Sequence, residues 1–142
     1  MRQIFSLGSK VKEGLERQGV ALVYLYGSEA LERSNRLSDV DVGLVFRNPR
    51  ELEDRDRRFD LHGELLRLLE AEVVPDGSRE IDLVFLQRAS PVLQFEAINL
   101  GIPLFVADPV FRADYEASVM REYLDIRPLV EAHYQAALER AQ

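Results

Sequence analysis

The sequence predicts an α/β fold in which a mixed β-sheet of about four strands is flanked by helices. Short apolar runs of strand length alternate along the chain with longer amphipathic patterns of helical period. The length of 142 residues suits one domain, and no internal repeat, low-complexity block or Pro/Gly-rich linker divides it. We therefore expect a single domain over residues 1–142, ending in a helical tail at about 109–140.

The first predicted elements are a helix and a buried strand. An amphipathic pattern over residues 3–18 indicates a helix, and Gly19 is a common stop signal. The continuous apolar run VALVYLY at 20–26 is typical of a strand that is buried on both faces. Gly27 follows this strand, and Ser28 is a suitable cap for a short helix.

Two further strands are predicted on either side of a long helix. The run DVDVGLVF at 39–46 and the run EIDLVFL at 80–86 both have the composition of strands. Residues 51–72 between them have a helical pattern. One face of this predicted helix carries Phe59, His62, Leu65, Leu66 and Leu69.

The C-terminal third is predicted to be mostly helical. Pro91 fits the first turn of a helix that ends before Gly101. The segment IPLFVA at 102–107 is a short strand that we expect at a sheet edge. Residues 109–140 form the helical tail, with a kink or break expected before Pro128 because the residue preceding a proline avoids helical geometry.

Composition excludes several classes of protein. The chain has no cysteine, so thiolate catalysis and cysteine-based zinc sites are excluded. A net charge of −7 argues against a broad nucleic-acid interface, which needs clustered basic residues. No run of about 18 apolar residues is present, and the N-terminus is too charged after Leu7 for a signal peptide. We expect a cytoplasmic protein that binds neither membranes nor nucleic acid directly.

Two aspartates in the second predicted strand indicate a cation site. Alternate strand residues share a face about 6.6 Å apart, so Asp39 and Asp41 point the same way. Val40 and Val42 point the opposite way, into a core. Two carboxylates about 6 Å apart repel by roughly 2–3 kcal/mol at an effective dielectric near 20. Mg²⁺ relieves this repulsion, because it takes one or two carboxylates and fills its remaining positions with water and phosphate.

Asp82 near the start of the third strand adds a third carboxylate. If the second and third strands are parallel neighbours joined by the long helix, their starts lie at one edge of the sheet. Three carboxylates there can hold two metal ions about 3.5–4 Å apart, as in nucleotidyl transfer. Taken alone, Asp82 has a second interpretation as an edge-strand charge that discourages aggregation.

Gly27 and Ser28 form a predicted phosphate site. If the first two strands are antiparallel, the end of the first meets the start of the second, and the Gly-Ser turn faces the aspartates. A helix N-terminus offers free N–H groups to phosphate, and glycine lets the backbone approach closely. No GxxxxGK[ST] sequence is present, so this is not a P-loop.

These residues resemble a known signature. Gly27-Ser28, ten residues, and then Asp39-Val40-Asp41 match the GSx10DxD pattern of the DNA polymerase β-like nucleotidyltransferases, and Asp82 fits their third acidic position. The length and the tail REYLDIRPLVEAHYQAALER resemble the minimal members of MNT/MntA type, which are antitoxins paired with HEPN-domain toxins. The resemblance covers about residues 20–140.

The resemblance implies a function and its residues. Asp39, Asp41 and Asp82 would bind Mg²⁺ in a two-metal site, and Asp82 would help to activate the attacking hydroxyl. Gly27 and Ser28 would hold the phosphates of ATP. AMP would be transferred to a tyrosine of the partner HEPN toxin, in a hetero-oligomer, which would silence that toxin.

Departures from the family pattern keep alternatives open. Leu31 and Glu32 replace the Arg and Gly that often follow the Gly-Ser turn, and Arg33 or Arg36 would have to supply the missing cation. One alternative is therefore an antitoxin without catalytic activity that masks its HEPN partner. Another is a nucleotidyltransferase of small molecules, against which the absence of a predicted acceptor domain argues.

The tail helix also has two interpretations. One stripe of it carries Val130, Tyr134, Ala137, Leu138 and Ala141. This stripe packs either against the rest of the chain or, in part, against a partner.

Overall fold

A computed structural model describes residues 6–27, 39–75, 77 and 79–141. The helices and strands are, in chain order, α1 (Ser9–Arg17), β1 (Val20–Tyr26), β2 (Val40–Phe46), α2 (Arg55–Val73), β3 (Ile81–Phe85), α3 (Pro91–Leu100), β4 (Ile102–Val106) and α4 (Pro109–Arg140). Short 3-10 turns lie at Pro49–Leu52 and Leu86–Arg88. The predicted α/β order is therefore confirmed, whereas the short helix predicted after Ser28 lies outside the described residues.

The four strands form one mixed sheet in the order β3-β2-β1-β4. β1 is antiparallel to both β2 and β4, and β2 is parallel to β3. α2 is the crossover between the two parallel strands, as expected for such a pair. The prediction that β4 lies at an edge of the sheet is confirmed.

Helices cover both faces of the sheet. α1 and α2 bury one face, where Leu15 of α1 and Leu65 of α2 belong to one apolar cluster with strand residues such as Val42. α3 and α4 cover the other face, where Ala97 packs with Tyr24 and the half-buried Tyr115 lies against them. The alternation of side chains along each strand therefore feeds two separate apolar clusters.

The buried side of α2 differs in part from the predicted face. Phe59 is 79% exposed, although the predicted face included it. The side chains that α2 buries follow an i, i+4 row: Leu61, Leu65, Leu69 and Val73. This row is rotated relative to the predicted face because the helix packs on the sheet along one ridge of side chains.

α2 also begins later than predicted. Asp54 caps it, accepting a hydrogen bond from the backbone N–H of Arg57 at 3.0 Å. Pro49 opens a separate 3-10 turn upstream, where the Asn48 side chain accepts from the N–H of Arg50 at 3.1 Å. Each cap satisfies a backbone donor that a helix start leaves free. The caps at Asn48 and Asp54 therefore divide the predicted helix into a 3-10 turn and α2.

The break expected before Pro128 is wrong, since α4 is continuous from Pro109 to Arg140. Pro128 lacks an N–H, so the carbonyl of Leu124 loses its helical donor. Leu124 is 52% exposed, and water therefore reaches this region of the helix. Val119 is the one buried residue of the helix, all of which lies in the described part of the chain.

A buried polar contact attaches α4 to the sheet. The Tyr24 hydroxyl, on a fully buried residue of β1, donates to Glu116 Oε1 at 2.9 Å. Arg112 Nε donates to the same oxygen at 3.1 Å. Burial and the hydrogen bond to Glu116 both raise the pKa of Tyr24, so this hydroxyl stays protonated. Among the described helices, none is both long and apolar enough to cross a bilayer.

Candidate functional site

The parallel pairing of β2 and β3 places two carboxylates side by side. Asp41 and Asp82 are direct register partners. Directly paired residues of neighbouring strands project to the same face, so both side chains lie on the face covered by α3 and α4. Asp39 immediately precedes β2 and is exposed. The backbone N–H of Val40 donates to the carbonyl of Glu80 at 2.8 Å and begins the pairing next to this site.

The turn after β1 lies against Asp41. Tyr26, the last residue of β1, is the antiparallel partner of Asp41. Gly27 follows with φ of +72°, a conformation that L side chains rarely adopt. A Cβ added at Gly27 would overlap the Asp41 carboxylate, with Oδ2 as its nearest atom. Glycine is therefore required twice at this position, for the backbone angle and for the approach of the carboxylate.

The site concentrates negative charge. Asp41 is half-buried, and its pKa is raised above the ordinary value first by burial and then by Asp82, Asp39 and Glu96. Each of these carboxylates penalises the ionised form of Asp41 because like charges repel. A bound cation would reverse that penalty, and this edge of the sheet has the electrostatics of a cation site.

Two neighbours of the site were not predicted from the sequence. The phenol of Tyr26 is 4% exposed, and burial together with Asp41, Asp82 and Glu96 raises its pKa. Its position was available from strand alternation, because Tyr26 lies directly across from Asp41 once the first two strands are antiparallel. Glu96 carried no such signal, since its approach depends on how α3 packs over the sheet.

The carboxylates of this site fit Mg²⁺ as part of its set of ligands. Asp41 and Asp82 supply carboxylate oxygens on one face, which are hard ligands of the type Mg²⁺ takes. Within the described ranges, no group of three or more His, Asp or Glu side chains is arranged to hold a metal ion by itself. Mg²⁺ commonly binds through one or two carboxylates and the phosphates of its substrate, so a pair is a sufficient protein contribution.

The structure thus brings together most of the predicted site. Gly27, Asp41 and Asp82 meet at one edge, and Asp39 lies near enough to raise the pKa of Asp41. Ser28 lies outside the described residues. Leu31 and Glu32, which depart from the family pattern, lie outside the described residues as well. The same holds for Arg33 and Arg36, the candidates for the missing cation.

A family model described as "Polymerase beta, Nucleotidyltransferase" matches residues 9–110. The chain belongs to this nucleotidyltransferase family. The matched region contains all four strands and the three predicted aspartates, and it ends where α4 begins. No curated protein sequence matches this nucleotidyltransferase chain.

Solved toxin–antitoxin structures share the fold of this nucleotidyltransferase. A chain in a toxin–antitoxin crystal structure with AMP-PNP is 21% identical, with a TM-score of 0.66 over 93% of this chain and 99% of that one. A chain from a complex of tri-AMPylated Shewanella oneidensis HEPN toxin with MNT antitoxin is 18% identical, with a TM-score of 0.60 over 91% and 97%. A chain from an MntA–HepT complex is 18% identical, with a TM-score of 0.54 over 94% and 98%.

Proposed function

We propose that this protein is an Mg²⁺-dependent nucleotidyltransferase that transfers AMP from ATP to a tyrosine hydroxyl of a HEPN-type toxin, and so acts as its antitoxin. The observation that carries the proposal is the side-by-side placement of Asp41 and Asp82 against the Gly27 turn. Membership of the nucleotidyltransferase family supports the chemistry. The shared fold of MNT and MntA complexes with HEPN and HepT toxins supports the partner class.

Each site residue has a role in the proposed transfer. Asp39 and Asp41 would hold Mg²⁺, with Asp82 as a further ligand, and the metal would supply charge neutralisation for the phosphates. The N–H groups of the turn at Gly27 and Ser28 would hold the phosphates in place, since backbone donors at such a turn favour anions. The close approach of Gly27 to Asp41 keeps the phosphate and metal subsites adjacent.

The proposed reaction forms one P–O bond at the α-phosphorus of ATP and breaks another. The tyrosine oxygen forms a bond to the α-phosphorus of ATP, and the bond from that phosphorus to the bridging oxygen of the β-phosphate breaks. Pyrophosphate leaves, and Asp82 accepts the proton of the hydroxyl. Asp82 is exposed, so an acceptor carried by a second protein has access to it.

The decisive experiment incubates the purified chain with a HEPN-domain toxin, Mg²⁺ and α-labelled ATP. We expect label on the HEPN protein, and loss of label when its acceptor tyrosine is replaced by phenylalanine. Asp41→Asn and Asp82→Asn should each lower the transfer rate roughly a hundredfold or more, because metal-assisted charge stabilisation supplies several kcal/mol. Asp60→Asn is the matched control, since Asp60 is an exposed carboxylate of α2 on the opposite layer.

One result would show that the chain neutralises its partner by masking it and not by catalysis. If no label reaches the HEPN protein while Asp41→Asn still rescues growth from it, the chain neutralises its partner by binding alone. A third result, label on small hydroxyl compounds but not on the HEPN protein, would overturn the assignment of the acceptor.

A further inference from the structure

α4 carries, between Met120 and Leu138, an exposed stripe that is unusual in its symmetry. Its six members are Met120, Leu124, Arg127, Glu131, Tyr134 and Leu138, and we call them the α4 stripe. Successive members are separated by four, three, four, three and four residues. This alternation of four and three residues is the heptad pattern that keeps one helix face directed at a partner helix in a coiled coil.

The members of the α4 stripe lie mostly in solvent. Met120 is 41% exposed, Leu124 52%, Tyr134 65% and Leu138 62%. The side chains of Arg127 and Glu131 are 56% and 64% exposed, and they form an i, i+4 ion pair at 2.8 Å. Exposed apolar side chains are ordinary one at a time, but here two apolar pairs lie on one helix face, one at each side of the central ion pair, and such a pattern marks an interaction surface.

The α4 stripe is complementary to itself when reversed about position 129. Met120 and Leu138 are equally distant from that position, as are Leu124 and Tyr134. Arg127 and Glu131 are also equally distant from it, and they carry opposite charges. An antiparallel second copy would therefore place apolar side chains against apolar ones at both ends and Arg against Glu twice at the centre. A two-fold axis requires this reciprocity, since residue i contacts j while j contacts i.

We propose that two copies of this chain pair through the α4 stripe in an antiparallel two-helix coiled coil. The central charges set the register, because shifting one helix along the other would bury Arg127 or Glu131 against an apolar residue. The rest of each chain packs on the first half of α4, where Val119 is buried and Tyr123 stacks on Phe95 at 3.8 Å between ring centroids. In the antiparallel arrangement the two bodies therefore lie at opposite ends of the coiled coil.

The test is the mass of the full chain in solution, measured by sedimentation equilibrium. We expect twice the chain mass of 16.3 kDa. Leu138→Asp should halve the measured mass by placing a charge at an apolar contact. Leu129→Asp is the matched control, because Leu129 is 73% exposed but lies about half a helical turn away from the α4 stripe. It should leave the dimer intact.

Charge exchange at the centre gives a sharper test. Arg127→Glu alone would face Glu131 of the second copy with a like charge, and Glu131→Arg alone would face Arg127 with one, so each variant should be monomeric. A mixture of the two variants should form a heterodimer, since both central pairs are then opposite in sign. The double variant R127E/E131R should again be a homodimer. These restored dimers cannot arise from misfolded chains.

Three outcomes would overturn the proposal. A wild-type mass of one chain at every concentration would do so, as would equal loss of the dimer in Leu129→Asp and Leu138→Asp. A monomeric chain whose α4 stripe gains hydrogen-exchange protection only with the HEPN protein would assign the stripe to that partner instead. The proposal is independent of catalysis, so Asp41→Asn should dimerise like the wild type.

Discussion

At the scale of single residues, the site depends on how closely Gly27 approaches the Asp41 carboxylate. Gly77 has a similar backbone, with φ of +67°, but a Cβ there would meet no atom within 4 Å among the described residues beyond its chain neighbours. Substitutions at these two glycines therefore separate the free-energy cost of the backbone angle from the cost of the overlap between a Cβ and the Asp41 carboxylate. Both costs apply at Gly27, and only the first applies at Gly77.

We expect Gly27→Ala and Gly77→Ala each to lose about 1–2 kcal/mol of unfolding free energy from the left-handed backbone angle. Gly27→Ala should lose further unfolding free energy beyond this backbone cost, because the new methyl group displaces Asp41. The same displacement should abolish nucleotidyl transfer. Urea unfolding and the transfer assay measure the two effects. Equal stability and full activity in both variants would show that Asp41 does not depend on this turn.

A second prediction at this scale concerns the charge of Asp41. Its folded-state pKa lies above the ordinary 3.8, so the folded protein retains a proton that the unfolded chain has released. Stability contributed by the protonated form is therefore present below pH 3.8 and is lost as pH rises through the folded-state pKa. In metal-free buffer at neutral pH, Asp41→Asn should unfold at a higher temperature than the wild type.

The difference between Asp41→Asn and the wild type should shrink as the pH falls toward 3.8. Asp60→Asn, at an exposed carboxylate, should show no comparable gain. Thermal unfolding followed by circular dichroism across this range measures both. A gain from Asp41→Asn that is the same at every pH would mean that its origin is not the relief of charge repulsion.

At the scale of elements, the apolar runs made the strands predictable. Val20–Tyr26 and Val40–Phe46 were predicted to within a residue because the first is a continuous apolar segment of strand length and the second is apolar apart from Asp41 and Gly43. The crossover helix predicted that the starts of β2 and β3 lie together, whereas the direct pairing of Asp41 with Asp82 is a finding of the structure. Helix limits and helix faces were less predictable, since local caps moved the start of α2 and ridge packing left Phe59 exposed. Pro128 does not divide α4.

The attachment of α4 to the sheet gives a prediction for this element. Glu116→Ala removes the acceptor of the buried Tyr24 hydroxyl, and an unpaired buried hydroxyl costs about 1–3 kcal/mol. Glu16→Ala is the matched control, because its pair with Arg47 is 3.8 Å long and exposed. It should change the unfolding free energy by about 0.5 kcal/mol or less. Similar losses in both variants, measured by urea unfolding, would contradict a specific role for Glu116.

At the scale of the whole molecule, the acidic end of strands β2 and β3 was predictable and its surroundings were not. Asp39, Asp41 and Asp82 were found from strand alternation and from the parallel crossover, both of which are local rules. Glu96 reaches the same edge only through the packing of α3, which depends on contacts that are distant in sequence. The tail helix was predicted as an element. The exposure of Tyr134 was not, because it depends on how far along the helix the sheet and the other helices pack against it.

The whole molecule should be stabilised by its proposed ligand. A ligand that binds only the folded chain, at a hundred times its dissociation constant, adds about 2.7 kcal/mol to stability. We expect AMP-PNP with Mg²⁺ to raise the melting temperature of the wild type. EDTA or the double variant D41N/D82N should remove the Mg²⁺-dependent part of that rise. An equal rise in the double variant would place the metal elsewhere.

The outer strand β4 has a consequence for how this chain behaves at high concentration. Pro103, opposite Tyr24, has no backbone N–H, so β4 has a gap in its row of donors. A strand from another molecule would meet an interrupted ladder there, which disfavours extension of the sheet. Fibril growth by strand addition is therefore disfavoured at this border of the sheet.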